Sequence, residues 1–80
     1  MNSRAKLAWR CRRGTKELDF LLQGFLKLDY DKLTVAEQRA FEKLLEAQDP
    51  VIMDWLWGNV PLPTGELGTV IGKIRKRYHD

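Results

Sequence analysis

The residues able to do chemistry are few, and most lie near the N-terminus. Cys11 is the single cysteine and is followed directly by Arg12 and Arg13, cations that favour a reactive thiolate. It also falls on the apolar stripe of a helical segment, the usual setting of a buried structural thiol, and that is the stronger reading. His79, the only histidine, stands next to the last residue of the sequence, where chain ends fray, and reads as a solvated tail rather than a base. The run Arg12, Arg13, Gly14, Thr15, Lys16, Glu17 is the most unusual local feature, a cationic turn joined to an acidic helix start. Charge near a turn is ordinarily only solvated surface. A nucleophile with its base, paired carboxylates, a metal cluster or a phosphate cradle is not found at recognisable spacing, so the chain reads as a binding protein and not as an enzyme. Three tryptophans, Trp9, Trp55 and Trp57, are many for 80 residues. On a helix, Trp55 and Trp57 stand about 200° apart, so they cannot both face a core. An exposed tryptophan beside arginines is a common interface anchor.

These residues must be positioned by a single domain, residues 1–80, because a chain this short cannot divide its buried surface between two cores. Hydrophobic residues at 44% and charged residues at 31% suit a folded globule. One cysteine forms no internal disulfide and, with no neighbouring Cys or His, no zinc site, which fits a reducing compartment. The basic N-terminus is followed by no apolar stretch of signal-peptide or membrane-spanning length, and the expected location is cytoplasmic, without membrane insertion. A monomer is expected when the protein is free. Charge is segregated: Arg4, Lys6, Arg10, Arg12, Arg13 and Lys16 start the chain without an acid. Residues 17–66 carry ten carboxylates against Lys27, Lys32, Arg39 and Lys43, and Lys73, Arg75, Lys76 and Arg77 restore the basic sign. A net charge of only +3 argues against a dedicated phosphate-binding surface.

Apolar spacing is helical almost throughout and predicts an all-α, compact five-helix bundle. The first segment, Ser3 to Cys11, with Ser3 as N-cap, aligns Arg4, Leu7, Ala8 and Cys11. The second, Lys16 to Lys27, with Thr15 as cap, aligns Leu18, Leu21, Leu22, Phe25 and Leu26. Gly24 within it suggests close packing against a neighbour. Tyr30 to Lys32 reads as a loop. Thr34 and Glu37 spell a capping box before a third segment that aligns Ala36, Ala40, Phe41, Leu44 and Leu45 and ends near Gln48. Asp49 as N-cap and Pro50 at the first helical position start the fourth, which ends at Trp57. Gly58 to Thr64 is a loop. The fifth, Gly65 to Tyr78, aligns Leu67, Val70, Ile71, Ile74 and Tyr78, with Gly68 and Gly72 four apart.

The run from Trp9 through Arg13, Gly14, Glu17 and Leu18 to Asp19 resembles the signature of the flavin-assembly factors of succinate dehydrogenase. The Arg-Gly-x-x-Glu hallmark of that family is met by Arg13, Gly14 and Glu17. The Tyr30–Asp31 pair, the run Leu44, Leu45, Glu46, the Asp49–Pro50 start and the Trp55–Leu56 pair follow in family order, so the similarity covers about residues 5–75. Departures lie mainly in the Gly58–Gly65 loop and the tail, and bear on partner preference. The resemblance implies a helical protein that binds the flavoprotein subunit of succinate dehydrogenase, with the related fumarate reductase subunit as a further client, and promotes covalent attachment of FAD to a histidine of that client. FAD is then the client's cofactor, not a resident group of this chain. Trp9, Arg12, Arg13, Gly14, Glu17 and Asp19 are the candidate partner-binding residues. Arg13 offers bidentate contacts, Gly14 a backbone free of side chain, and Glu17 a carboxylate one turn on. Arg12 and Arg13 could meet either a pyrophosphate or carboxylates of the client.

Two rival classes remain at this stage. A nucleic-acid-binding helical domain would use the basic ends, but the acidic middle offers no all-basic recognition helix and the charge surplus is small. An antitoxin-like protein-binding module is the other, and no residue favours it.

Overall fold

The computed structural model describes residues 3–79. Five α-helices follow one another: α1 (Ser3–Arg10), α2 (Lys16–Leu28), α3 (Val35–Leu44), α4 (Asp49–Trp57) and α5 (Gly65–His79), with no strand among the described residues. This is the all-α five-helix bundle expected from the apolar spacing. The last helix is the hub, since α2, α3 and α4 all pack on it, most extensively α3, while α1 lies on α2. A single core contains Leu7 and Cys11 from the first segment, the whole Leu18, Leu21, Leu22, Phe25, Leu26 stripe of α2, and Val70, Ile71 and Ile74 of α5. Phe25 and Phe41 meet at its centre with ring centroids 5.6 Å apart.

Most element boundaries fall where local chemistry places them, and the exceptions have physical reasons. The capping box forms in full: the Glu37 N–H donates to Thr34 Oγ1 at 3.1 Å and the Thr34 N–H donates to Glu37 Oε1 at 3.0 Å. Glu37 thereby turns inward, whereas Ala36, expected on the buried stripe, is exposed. Tyr30–Lys32 is not an irregular loop but one turn of 3₁₀ helix. The third helix stops at Leu44, earlier than expected, and Leu45 to Ala47 form a turn. Gln48, not Asp49, holds the N-cap position of α4, so Pro50 sits one place further into the first turn, where its missing N–H still removes no helical bond. Thr15 occupies the cap position of α2 with extended backbone, but its hydroxyl makes no capping bond. The proposed Ser3 cap rests on a side chain outside those described.

Glycines mark the tight places. A Cβ on Gly24 would lie 2.3 Å from the Tyr78 hydroxyl, which is the close packing that its position suggested. On Gly68 it would lie 1.9 Å from the Pro63 carbonyl oxygen, whereas Gly72, one turn on, has open space around it. The loop Gly58–Thr64 is thus laid directly on α5 at Gly68. Gly68→Ala must displace backbone and should lower stability by about 1–3 kcal/mol despite the better helix propensity of alanine. Gly72→Ala gains that propensity unopposed, about 0.5–1 kcal/mol, and should raise the melting midpoint by about 4 °C. Thermal unfolding of the two variants side by side checks both.

Glu37 also accepts from Lys73 Nζ of α5 at 2.9 Å, joining α3 to the hub. The Lys73 bond, followed by the Thr34 N–H, holds the Glu37 carboxyl below the ordinary glutamate range. A carboxyl depressed in the folded state adds stability above its unfolded pKa and loses it as pH falls through the folded one. Glu37→Gln keeps the reach of the capping box but not the charge. Its melting midpoint should therefore fall less steeply than that of the wild type as pH drops below the ordinary glutamate value, and equal slopes would remove Glu37 from the acid response.

Candidate functional site

The loop from Cys11 to Thr15 leaves α1, turns at Gly14 and enters α2, and what fixes it is Arg13. The Arg13 side chain is only 16% exposed. It donates from Nε to Asp49 Oδ1 at 2.8 Å, from Nη1 to the Leu45 carbonyl at 2.8 Å and the Arg10 carbonyl at 3.3 Å, and from Nη2 to the Ala47 carbonyl at 2.6 Å. Leu45 and Ala47 lie in the turn between α3 and α4, whose carbonyls lack helical donors, and a planar fork of N–H groups matches them. The Arg13 backbone N–H in turn donates to Asp19 Oδ1. Asp49, freed from capping α4, serves instead as the guanidinium's anion. Arg10 adds a second tie, its Nη2 donating to the Glu42 carbonyl of α3 at 3.0 Å.

The six candidate residues thus divide into two kinds. Arg13 and Asp19 are turned onto the protein's own loop and turn, so the bidentate capacity of Arg13 is spent internally. Trp9, Arg12, Gly14 and Glu17 face outward. Trp9 is 71% exposed, and the Arg12 guanidinium lies over its ring at 5.7 Å. Arg12 and Glu17 have no ion-pair partner among the described residues. Gly14 has φ +90°, a conformation that L side chains rarely adopt, and a Cβ there would meet nothing within 4 Å. Its place in the loop needs glycine for the backbone angle and presents bare main chain to whatever approaches.

Cys11 closes the question of a reactive thiol. It is fully buried, and burial pushes its pKa up to about 11 against the opposing field of Arg13 and Arg10. At neutral pH it is a protonated core residue, as its place on the apolar stripe suggested. The His79 side chain lies outside those described. Among the described residues no group of three or more His, Cys, Asp or Glu could hold a metal ion, and no helix is long and apolar enough to cross a membrane.

Four ion pairs among the described residues account for much of the charge asymmetry. Arg4 meets Asp31 at 2.5 Å, Arg13 meets Asp49 at 2.8 Å, Lys73 meets Glu37 at 2.9 Å and Arg77 meets Asp29 at 3.1 Å. Every one joins a basic end of the chain to its acidic middle. Sequence reasoning missed a further feature of this face: Phe20, 68% exposed, stands beside Trp57, 40% exposed, at a groove whose lining includes Glu17. Phe20 lies off the apolar stripe of α2, and a large aromatic at a polar helical position was the available signal.

Comparison with known proteins identifies the family. A family model described as the flavinator of succinate dehydrogenase matches residues 5–78. A protein of Pectobacterium atrosepticum named FAD assembly factor SdhE is 36% identical over 80 residues, covering all of this chain and 91% of that protein. Proteins of the same name from Coxiella burnetii and Legionella pneumophila are 41% and 42% identical over 71 and 72 residues, covering 89% and 90% of this chain and 87% and 90% of theirs. The match runs through the Arg13 loop and all five helices, and the chain belongs to the family of succinate dehydrogenase flavinators, the FAD assembly factors.

Proposed function

We propose that this protein binds the flavoprotein subunit of succinate dehydrogenase through the outward face of the α1–α2 loop and promotes the covalent attachment of FAD to that subunit, doing no chemistry of its own. The observation that carries the reading is the outward set Trp9, Arg12, Gly14 and Glu17 on a loop held rigid from behind by Arg13. An exposed cation and carboxylate, neither in an ion pair among the described residues, flank bare glycine backbone, and rigid presentation lowers the ordering cost of association. The family description and the names of the relatives point to the same client and cofactor. The fumarate reductase flavoprotein is a second client on this reading.

The bond to FAD is made by the client's own histidine. This chain contributes geometry: by binding best to the client conformation in which histidine and flavin are aligned, it raises the population of that state. Arg12, not Arg13, is the cation available to client carboxylates or to a pyrophosphate. Arg13 is a positioning residue for the loop.

The test is in-gel flavin fluorescence of the subunit produced with and without this protein. Wild type should raise covalent flavin well above the unassisted level. Gly14→Ala and Gly14→Arg share the same backbone strain, roughly 1–2 kcal/mol, but only arginine fills the space in front of the loop. Alanine should retain most of the stimulation and arginine should abolish it. Arg12→Ala and Glu17→Ala should fold normally and lose stimulation by about tenfold. Arg13→Ala should instead lose about 3 kcal/mol of stability along with function, because it strands the carbonyls and carboxylate it serves. Covalent flavin equal in all samples, with and without the protein, overturns the reading.

A further inference from the structure

The aromatic groove beside Glu17 belongs to no motif, and three helices build it. Phe20 comes from α2, Trp57 is the last residue of α4, and Tyr78 stands in the final turns of α5, with Leu21 also in the lining. Phe20 is not a loose side chain: its ring meets Tyr78 edge-on, with centroids 5.6 Å apart and planes at 62°. A single exposed aromatic is ordinary on a protein surface. A largely exposed Phe20 and a part-exposed Trp57 lining one concave site are not, and aromatics in such a setting dominate the energetics of protein interfaces.

Electrostatics narrows the occupant. Glu17 lies one helical turn before Phe20 and Leu21, so its carboxylate shares their face of α2. It is exposed and has no ion-pair partner among the described residues, and the groove lining contains no cation. The one charged group in the lining is thus anionic, and although the Arg75 guanidinium lies close by, against Gly58 next to Trp57, the groove itself offers no cation to a phosphate backbone or an anionic lipid headgroup. A second copy of the same groove would bring no charge to Glu17. Glu17 is also the end of the α1–α2 site, so an occupant of the groove is continuous with a partner seated on Gly14.

We propose that this groove seats an apolar side chain of the flavoprotein subunit, adjacent to a lysine or arginine of that subunit that pairs with Glu17. Phe20 and Trp57 are then the apolar anchors of the complex and determine which clients fit. The inference rests on the assembly reading above and extends it to residues outside the Arg13–Glu17 motif.

The experiment is calorimetric titration of the isolated flavoprotein subunit with wild type, Phe20→Ala, Trp57→Ala, Glu17→Gln and, as a control for exposed apolar surface elsewhere, Val35→Ala, which is altered at a position 64% exposed on α3. Circular dichroism melts accompany each variant; Phe20 is exposed enough for truncation to leave the fold intact. Phe20→Ala and Trp57→Ala should each weaken Kd by about tenfold or more, with Val35→Ala unchanged. Raising salt should weaken wild-type binding, and Glu17→Gln should flatten that dependence. Unchanged affinity in both aromatic variants, with flavinylation still stimulated, overturns the groove and leaves the assembly reading standing. Failure of the wild type to bind the subunit overturns both.

Discussion

Where α3 gives way to α4, the carbonyls of Leu45 and Ala47 have no helical donors, and the guanidinium that serves them comes from a loop more than thirty residues earlier in the chain. The same group takes Asp49 as its anion and bonds back to Arg10. An ion pair on an open surface contributes little. This one is mostly shielded, with side-chain exposures of 16% and 29%, and the remaining donors of the guanidinium meet backbone oxygens, so the cost of removing the charge from water is offset by hydrogen bonds. This contact ties the loop that carries Arg12 and Gly14 into α2 to the α3–α4 turn. A lysine would satisfy one acceptor and strand the others.

The helices were legible because their determinants are local. The five apolar residues of α2 that share one stripe are all buried, and the Thr34–Glu37 capping box forms in full. The motif around Gly14 was also visible. The division of labour within it was not, because that depends on which partner lies across space. Arg13 and Arg12 are chemically identical in sequence, yet one is committed to the α3–α4 turn and the other stacks on Trp9 in solvent. Asp49 was read as a cap from its neighbour Pro50, but a carboxylate facing a shielded guanidinium has a stronger partner than a backbone N–H. Ala36 was placed inside by periodicity, and the inward turn of the charged Glu37 beside it, fixed by Lys73 of α5, could not be read from spacing. Phe20 lies off the apolar stripe of α2, so helical periodicity assigns it to solvent and carries no sign of the groove it lines.

Charge distribution along the chain invited comparison with proteins that grip phosphates, and the fold assigns it another use. Each of the four ion pairs among the described residues closes a basic end onto the acidic centre, at sequence separations from 27 to 48 residues. The segregation is thus a pairing scheme for the protein's own termini, which favours the native arrangement of helices over alternatives that bring like charges together.

The central place of α5 has a consequence for how the protein comes into being. The helix on which α2, α3 and α4 rest is the last of the five to be translated. Until it is made, α1 can pack on α2 and Phe25 can meet Phe41, but the faces of α2, α3 and α4 that rest on α5 stay uncovered. Completion then waits on α5, whose Lys73 and Arg77 pair with Glu37 and Asp29, whereas the Arg4 and Arg13 pairs need no residue of it. A chain cut short within α5 would lose the whole domain rather than its last few turns.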